Sequence, residues 1–297
     1  MKQVLVLSGK GGTGKTTLSS SLIKLSGAKA YADCDVDAPN LHLVMEESLE
    51  PNKSDFYGLP AAQIDTDKCI SCDLCRQKCR FDAINVTDVY TVDRFACEGC
   101  AVCQLVCPAD AITMVGRVTG HLKLHENNHI FSTADLCMGS GNSGLLVTEV
   151  KKPLKGWKEK APLAIIDGSP GIGCPVIASI SGVDLVVLVT EPTLSGYSDM
   201  ERIVETSKGF PAKVAVCINK YDLHLKNTET IEDYCRDRDI PLLGKIPYDR
   251  EAVSLVNQGK TLVDKDGPSR DAIDGILRGV LGLLNLKQSG NMSRRDF

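Results

Sequence analysis

The sequence predicts an α/β fold, a doubly wound and mainly parallel sheet interrupted by one small, cysteine-rich α+β insertion. Three observations predict it. The apolar runs Leu163–Ile166, Leu185–Val189 and Val214–Ile218 are each separated from the next by one helix-length stretch, the pattern of βαβ units. The N-terminal run Gln3–Leu7 is short, apolar and β-branched and ends at Ser8-Gly9, as a buried strand does. From about residue 61 to 115 this texture gives way to short segments punctuated by cysteine.

In chain order, the first strand runs into a glycine-rich loop and a helix from about Lys15 to Ser26. Ala28 to Ala32 reads as a second strand, closed by Asp33-Cys34-Asp35. The expected organisation is residues 1–60 and 116–297 as two parts of one α/β domain, with 61–115 inserted between them. Leu242–Ile246 reads as a weaker, edge-like strand. Ile273, Ile276, Leu277, Val280, Leu281 and Leu284 trace a helical apolar stripe suited to packing on the sheet. Gly275, Gly279 and Gly282 and a low basic content argue against that helix lying on a membrane.

Composition sets outer bounds. The 297 residues are 43% hydrophobic and 24% charged, ordinary for a globular chain with a sizeable core. Thirty-four basic against 38 acidic residues leave a net charge of −4, so no overall basic surplus exists for nucleic acid. No apolar run approaches the roughly 18 residues of a membrane span. The start, MKQVLVLSGKGG, runs into glycines rather than a cleavage site, so a cytoplasmic location is expected. Eight of the 13 cysteines fall between Cys69 and Cys107, clustering that reads as metal ligation before disulfides.

Gly9-Lys10-Gly11-Gly12-Thr13-Gly14-Lys15-Thr16 satisfies G-x-x-x-x-G-K-[ST] between a strand and a helix, the context a P-loop requires. Backbone N–H groups from Gly9 to Thr17 would cradle phosphates at the helix N-terminus. Lys15 would reach the β- and γ-phosphates, and Thr16 would hold Mg²⁺. Ile165-Ile166-Asp167-Gly168 sets an aspartate at the carboxyl end of a buried strand, where a Mg²⁺-directing acid must stand.

The early lysine, Lys10 in KGGTGKTT, resembles the deviant Walker A motif of the MinD/ParA/nitrogenase-iron-protein superfamily of P-loop ATPases. The resemblance implies that Lys10 reaches a partner's nucleotide in an ATP-dependent homodimer. It also implies that Asp33-Cys34-Asp35-Val36-Asp37 is a first switch, with Asp35 orienting the attacking water and Asp33 near the Mg²⁺ shell. Asn219 of Asn219-Lys220-x-Asp222 matches the family's adenine-contacting asparagine. The same N-K-x-D pattern reads guanine elsewhere, so ATP over GTP rests on the deviant loop and the switch.

Cys69-x2-Cys72-x2-Cys75-x3-Cys79 recurs 28 residues on as Cys97-x2-Cys100-x2-Cys103-x3-Cys107-Pro108. These are two bacterial-type ferredoxin runs, in which the fourth cysteine ligates the other cluster. The expected ligand sets are Cys69, Cys72, Cys75 and Cys107 for one [4Fe–4S] cluster, and Cys97, Cys100, Cys103 and Cys79 for the other. Arg80 stands where the motif usually has proline, without removing a ligand. Zinc, the competing metal, usually takes two C-x2-C pairs rather than tripled runs.

With these motifs in order, nearly the whole chain resembles MinD-superfamily ATPases carrying an inserted ferredoxin domain. That implies an ATPase coupling nucleotide state to electron transfer through two clusters, toward a redox or metallocofactor-assembly partner. Two alternatives stay open: a positioning or scaffold ATPase with structural or sensing clusters, and a cluster carrier. The C-x-x-C of Mrp-type carriers is absent at Cys174-Pro175-Val176-Ile177.

Four weaker features complete the reading. By resemblance to the nitrogenase iron protein, Cys174 and a misregistered Cys137 are either ligands of a bridging cluster or ordinary thiols. Cys34, Cys217 and Cys235 read as packing residues. His121, His125 and His129 are spaced by four, but they lie on a strand or hairpin as solvated polar positions. The tail Met292–Phe297 resembles a twin-arginine signal at the wrong terminus.

Overall fold

A computed structural model of the chain describes residues 1–45 and 50–286, so the Met292–Phe297 tail lies outside the described residues. The strands are β1 (Lys2–Ser8), β2 (Ala30–Asp33), β3 (Asn52–Tyr57), β4 (Ala61–Ile64), β5 (Ile84–Val86), β6 (Tyr90–Val92) and β7 (Ile112–Val115). They continue with β8 (Val118–Glu126), β9 (Ile130–Leu136), β10 (Leu163–Asp167), β11 (Leu185–Thr190), β12 (Lys213–Asn219) and β13 (Leu242–Ile246). The helices are α1 (Lys15–Ser26), α2 (Leu74–Lys78), α3 (Val102–Leu105), α4 (Ser143–Lys151), α5 (Cys174–Ile180), α6 (Leu194–Ser207), α7 (Leu225–Asp237), α8 (Ala252–Asn257) and α9 (Pro268–Leu283).

Nine strands form the main sheet in the order β13-β12-β11-β1-β10-β2-β9-β8-β3. Pairings from β13 to β9 are parallel. β8 and β3 extend the sheet as antiparallel strands. Alternation along β1 explains the double winding: Leu5 and Leu7 face a core with α4, α5, α6 and α7, while Val4 and Val6 face one with α1 and α9. The α9 stripe buries Ile273, Ile276, Leu277 and Val280 in that second core. Cys34, Cys217 and Cys235 are buried in the two cores. Among the described residues no helix is long and apolar enough to cross a membrane.

The second strand begins later than its apolar run, at Ala30, because Gly27 caps α1 in the left-handed region and Ala28 still bonds back to Ile23. The insert has its own small core of Ala61, Ala62, Cys75, Ala83, Ile84, Cys97 and Ile112. Two hairpin-like pairs frame it, β4 with β7 and β5 with β6, both antiparallel. Shifted by 28 residues, β4 falls on β6 and β5 on β7, so the start of each repeat pairs with the end of the other. The amides repeat the exchange: Asp65 N donates to Ala111 O, and Asp93 N donates to Ala83 O.

Candidate functional site

The parallel strands deliver their carboxyl ends to one crevice, where ligands of open α/β sheets bind. β1 hands the chain to the glycine loop, and α1 starts behind it with Gly14 at φ 90° and no side-chain cap. The first amides of α1 therefore face the loop without a side-chain acceptor, the arrangement that receives phosphate. A β-carbon at Gly14 would collide with the Asn219 amide. That amide donates from Nδ2 to Thr13 O at 2.8 Å, tying the end of β12 to the loop.

Lys15 Nζ lies 2.9 Å from Asp167 Oδ2 and 3.7 Å from Asp35 Oδ2. Thr16 Oγ1 donates to Asp167 Oδ2 at 2.6 Å, and Ser19 Oγ donates to Oδ1 at 2.7 Å. The expected phosphate lysine, Mg²⁺ hydroxyl, water-orienting acid and Mg²⁺-directing acid thus converge on one point. Ser19 is an additional member that the loop motif does not specify. Burial works against the Lys15 ammonium, but Asp167 and Asp35 outweigh it and hold its pKa above the usual lysine value. Burial raises the Asp35 carboxyl, with Lys15 pulling the other way.

Asp33 is the register partner of Asp167 on the neighbouring strand, and its carboxylate turns onto its own loop. Its Oδ1 accepts Asp35 N at 3.0 Å, and its Oδ2 accepts Asn40 N and Leu41 N, each at 2.9 Å. It therefore anchors the loop that runs from Asp35 to Leu41. Burial and the neighbouring Asp167 push its pKa up to about 7, against the Leu41 N–H, the Lys15 ammonium and the Asp35 N–H. Lys10 donates to Ser195 Oγ at 3.2 Å, with Glu191 Oε2 at 3.8 Å. Glu191 also pairs with Lys220 at 2.5 Å, a partner for the N-K-x-D segment that the motif left unspecified.

The insert presents two hollows. Cys69, Cys72, Cys75 and Cys107 line one, together with Ile64 and Ile112. Cys79, Cys97, Cys100 and Cys103 line the other, together with Ala62 and Met114. Each hollow takes three thiols from one repeat and the fourth from the other. The backbone repeats as well: Ser71 and Gly99, Asp73 and Ala101, and Asp82 and Asp110 all have positive φ. These left-handed turns fold each loop around its hollow. Burial, with the Cys69 and Cys72 thiols adding to it, raises Cys75; Cys103 is raised by burial and by Cys97 and Cys100.

Among the described residues no group of three or more His, Cys, Asp or Glu could hold a metal ion. Four thiols spread around an apolar hollow suit a body larger than one ion, so this donor set fits a cubane better than zinc. Of the spaced histidines, His125 stacks on Phe131 and His129 on Tyr31, which the expectation of plain solvated positions missed. Cys137 Sγ lies 3.8 Å from His121 Nε2, while Cys174 is exposed at the first position of α5.

Residues 4–263 match the family described as the CobQ/CobB/MinD/ParA nucleotide binding domain. The chain is similar to the uncharacterized protein MJ0578 of Methanocaldococcus jannaschii, 32% identical over 91% of this chain and 93% of that one. It is 24% identical to the septum site-determining protein MinD of Neisseria meningitidis, over 95% of this chain and 91% of that one. Among solved structures, MinD complexed with Mg-ADP from Pyrococcus horikoshii superposes with a TM-score of 0.57 at 18% identity, covering 95% of this chain and 97% of that one.

Proposed function

The chain belongs to the CobQ/CobB/MinD/ParA nucleotide-binding family, and from that premise we propose that it is an ATP-hydrolysing, dimerising switch whose nucleotide state governs two [4Fe–4S] clusters in its insert. Lys15 would exchange Asp167 for the β- and γ-phosphates, Thr16 and Asp167 would hold Mg²⁺, and Asp35 would orient the attacking water. Lys10 would leave Ser195 for the partner's nucleotide. Cys69, Cys72, Cys75 and Cys107 would hold one cluster, and Cys97, Cys100, Cys103 and Cys79 the other. Clusters of this kind supply one-electron oxidation and reduction, which suits a redox or metallocofactor-assembly partner.

The observation that carries the cluster reading is the exchange of the fourth cysteine between the two hollows. A second reading, a positioning ATPase with structural clusters, is favoured by the names of the MinD relatives. Iron, sulfide and ATP turnover measured on anaerobically isolated protein test the proposal. About eight iron and eight sulfide per chain with ATP hydrolysis support it. Near-zero iron with intact hydrolysis leaves an ordinary family ATPase. ATP-stimulated electron delivery to an acceptor separates the first reading from the second, which predicts equal rates with and without ATP.

A further inference from the structure

We infer that nucleotide state reaches the insert through residues 136–144 and is felt at the second cysteine loop, Cys97–Cys103, rather than equally at both. This rests on the proposed function, because it concerns how its two halves communicate. The loop after Asp35 and the stretch after Asp167 both touch the segment. At its start, Leu136 N donates to Val36 O at 2.9 Å. Val36 follows Asp35, the carboxylate 3.7 Å from Lys15. At its end, a β-carbon on Gly144 would stand 3.2 Å from Cys174 O. Cys174 closes the stretch that follows Asp167, which is tied to β1 by Gly168 N to Val6 O and Gly171 N to Ser8 O.

Between those ends the segment meets the insert. A β-carbon on Gly139 would stand 3.1 Å from Phe95 Cδ1, and one on Gly141 would stand 3.1 Å from Glu98 Oε2. Phe95 and Glu98 bracket Cys97. Arg117, which leads out of the insert, adds a brace from below: its guanidinium donates to Arg94 O and, at 3.1 Å, to Cys97 O. The equivalent positions of the first repeat, Asp67 and Ile70, are exposed just as Phe95 and Glu98 are, so the second repeat is set apart by its Gly139, Gly141 and Arg117 contacts rather than by burial. The two repeats match in sequence and backbone, and docking on the larger domain makes them unequal.

The contact is built to slide rather than to lock. Phe95 is 75% exposed and Met138 94%, so little apolar area holds the segment down. A small shift of residues 137–142 would carry Phe95 and Glu98 with it and leave both cores intact. Glu98 is an acid beside Cys97, and moving its charge changes how readily negative charge is accepted in that loop.

Hydrogen–deuterium exchange on the full-length, anaerobically isolated chain tests the route. The chain would be compared in Mg-ADP and in a non-hydrolysable ATP analogue, with binding of each verified by calorimetry. Exchange at 136–144 and 94–100 should differ between the two states by about 5–150-fold, the usual span of allosteric coupling, and exchange at 66–72 should not. Equal responses in both cysteine loops, or no response at 94–100 with nucleotide bound, would overturn the inference. Phe95→Ala removes an exposed side chain and should fold normally. It should bind nucleotide, keep the response at 136–144 and lose it at 94–100; a retained response there refutes the route. Iron content of the same samples judges the cluster reading separately.

Discussion

Lys15 and Asp167 form an ion pair at 2.9 Å in which the lysine is 6% exposed and the aspartate fully buried. The pair occupies the place where phosphate and Mg²⁺ bind in a P-loop. A buried pair of this kind contributes little net stability while intact, and removing one partner strands the other. Lys15→Met should therefore destabilise the nucleotide-free chain by about 3–5 kcal/mol in urea unfolding, and pairing it with Asp167→Leu should recover most of that loss.

The same stranding logic governs Lys151. Its ammonium donates to the carbonyls of Ala178, Ser179 and Ser181 at the end of α5. Burial lowers its pKa to about 8. Lys151→Met should leave those carbonyls without this donor and cost about 1–3 kcal/mol, read from the unfolding midpoint at pH 7.

Asp33 gives a pH signature. Its folded pKa of about 7 lies above the ordinary value of 3.8. The native state thus holds an extra proton between those values, and the stability linked to Asp33 is fully present below about pH 4 and lost as pH rises through 7. The unfolding free energy of the nucleotide-free chain minus that of Asp33→Ala should shrink across that window. A difference that is flat or grows with pH contradicts the assignment.

Lys10→Ala should bind nucleotide but remain monomeric with the ATP analogue, measured by light scattering. Among the described residues Lys10 pairs with Ser195 and Glu191 at the surface, so its loss should leave the folded monomer intact.

The exchanged ligand sets make a crossed prediction. Cys107→Ser should remove iron from the Cys69 loop, and Cys79→Ser from the Cys97 loop. Iron should fall to about four per chain in each case, and the surviving electron-paramagnetic signal should differ between the two variants.

Much of this was legible before any coordinates, for identifiable reasons. The glycine loop, Asp167 at the end of β10 and Asn219 at the end of β12 announce themselves because a parallel sheet buried on both faces writes its strands as continuous apolar runs. The cysteine partition is legible because spacing and repeat are one-dimensional. β3 was not, since Asn52, Lys53, Ser54 and Asp55 are all exposed and only Phe56 is buried. A one-faced edge strand of four polar residues has no periodic signal. The hydrogen bonds of Asp33 to Asp35, Asn40 and Leu41 were not legible either, since D-x-D spacing cannot say which carboxylate turns back onto its own loop. Contacts such as Phe95 with Gly139 depend on how two bodies dock, which neither body's pattern encodes.

The most direct test of the account is the reduction potential of each cluster in anaerobically isolated protein, titrated once in saturating Mg-ADP and once in the ATP analogue. The account predicts that the two potentials separate on exchange of nucleotide, with the Cys97-loop cluster moving and the Cys69-loop cluster staying. Identical potentials for both clusters in the two states would contradict it.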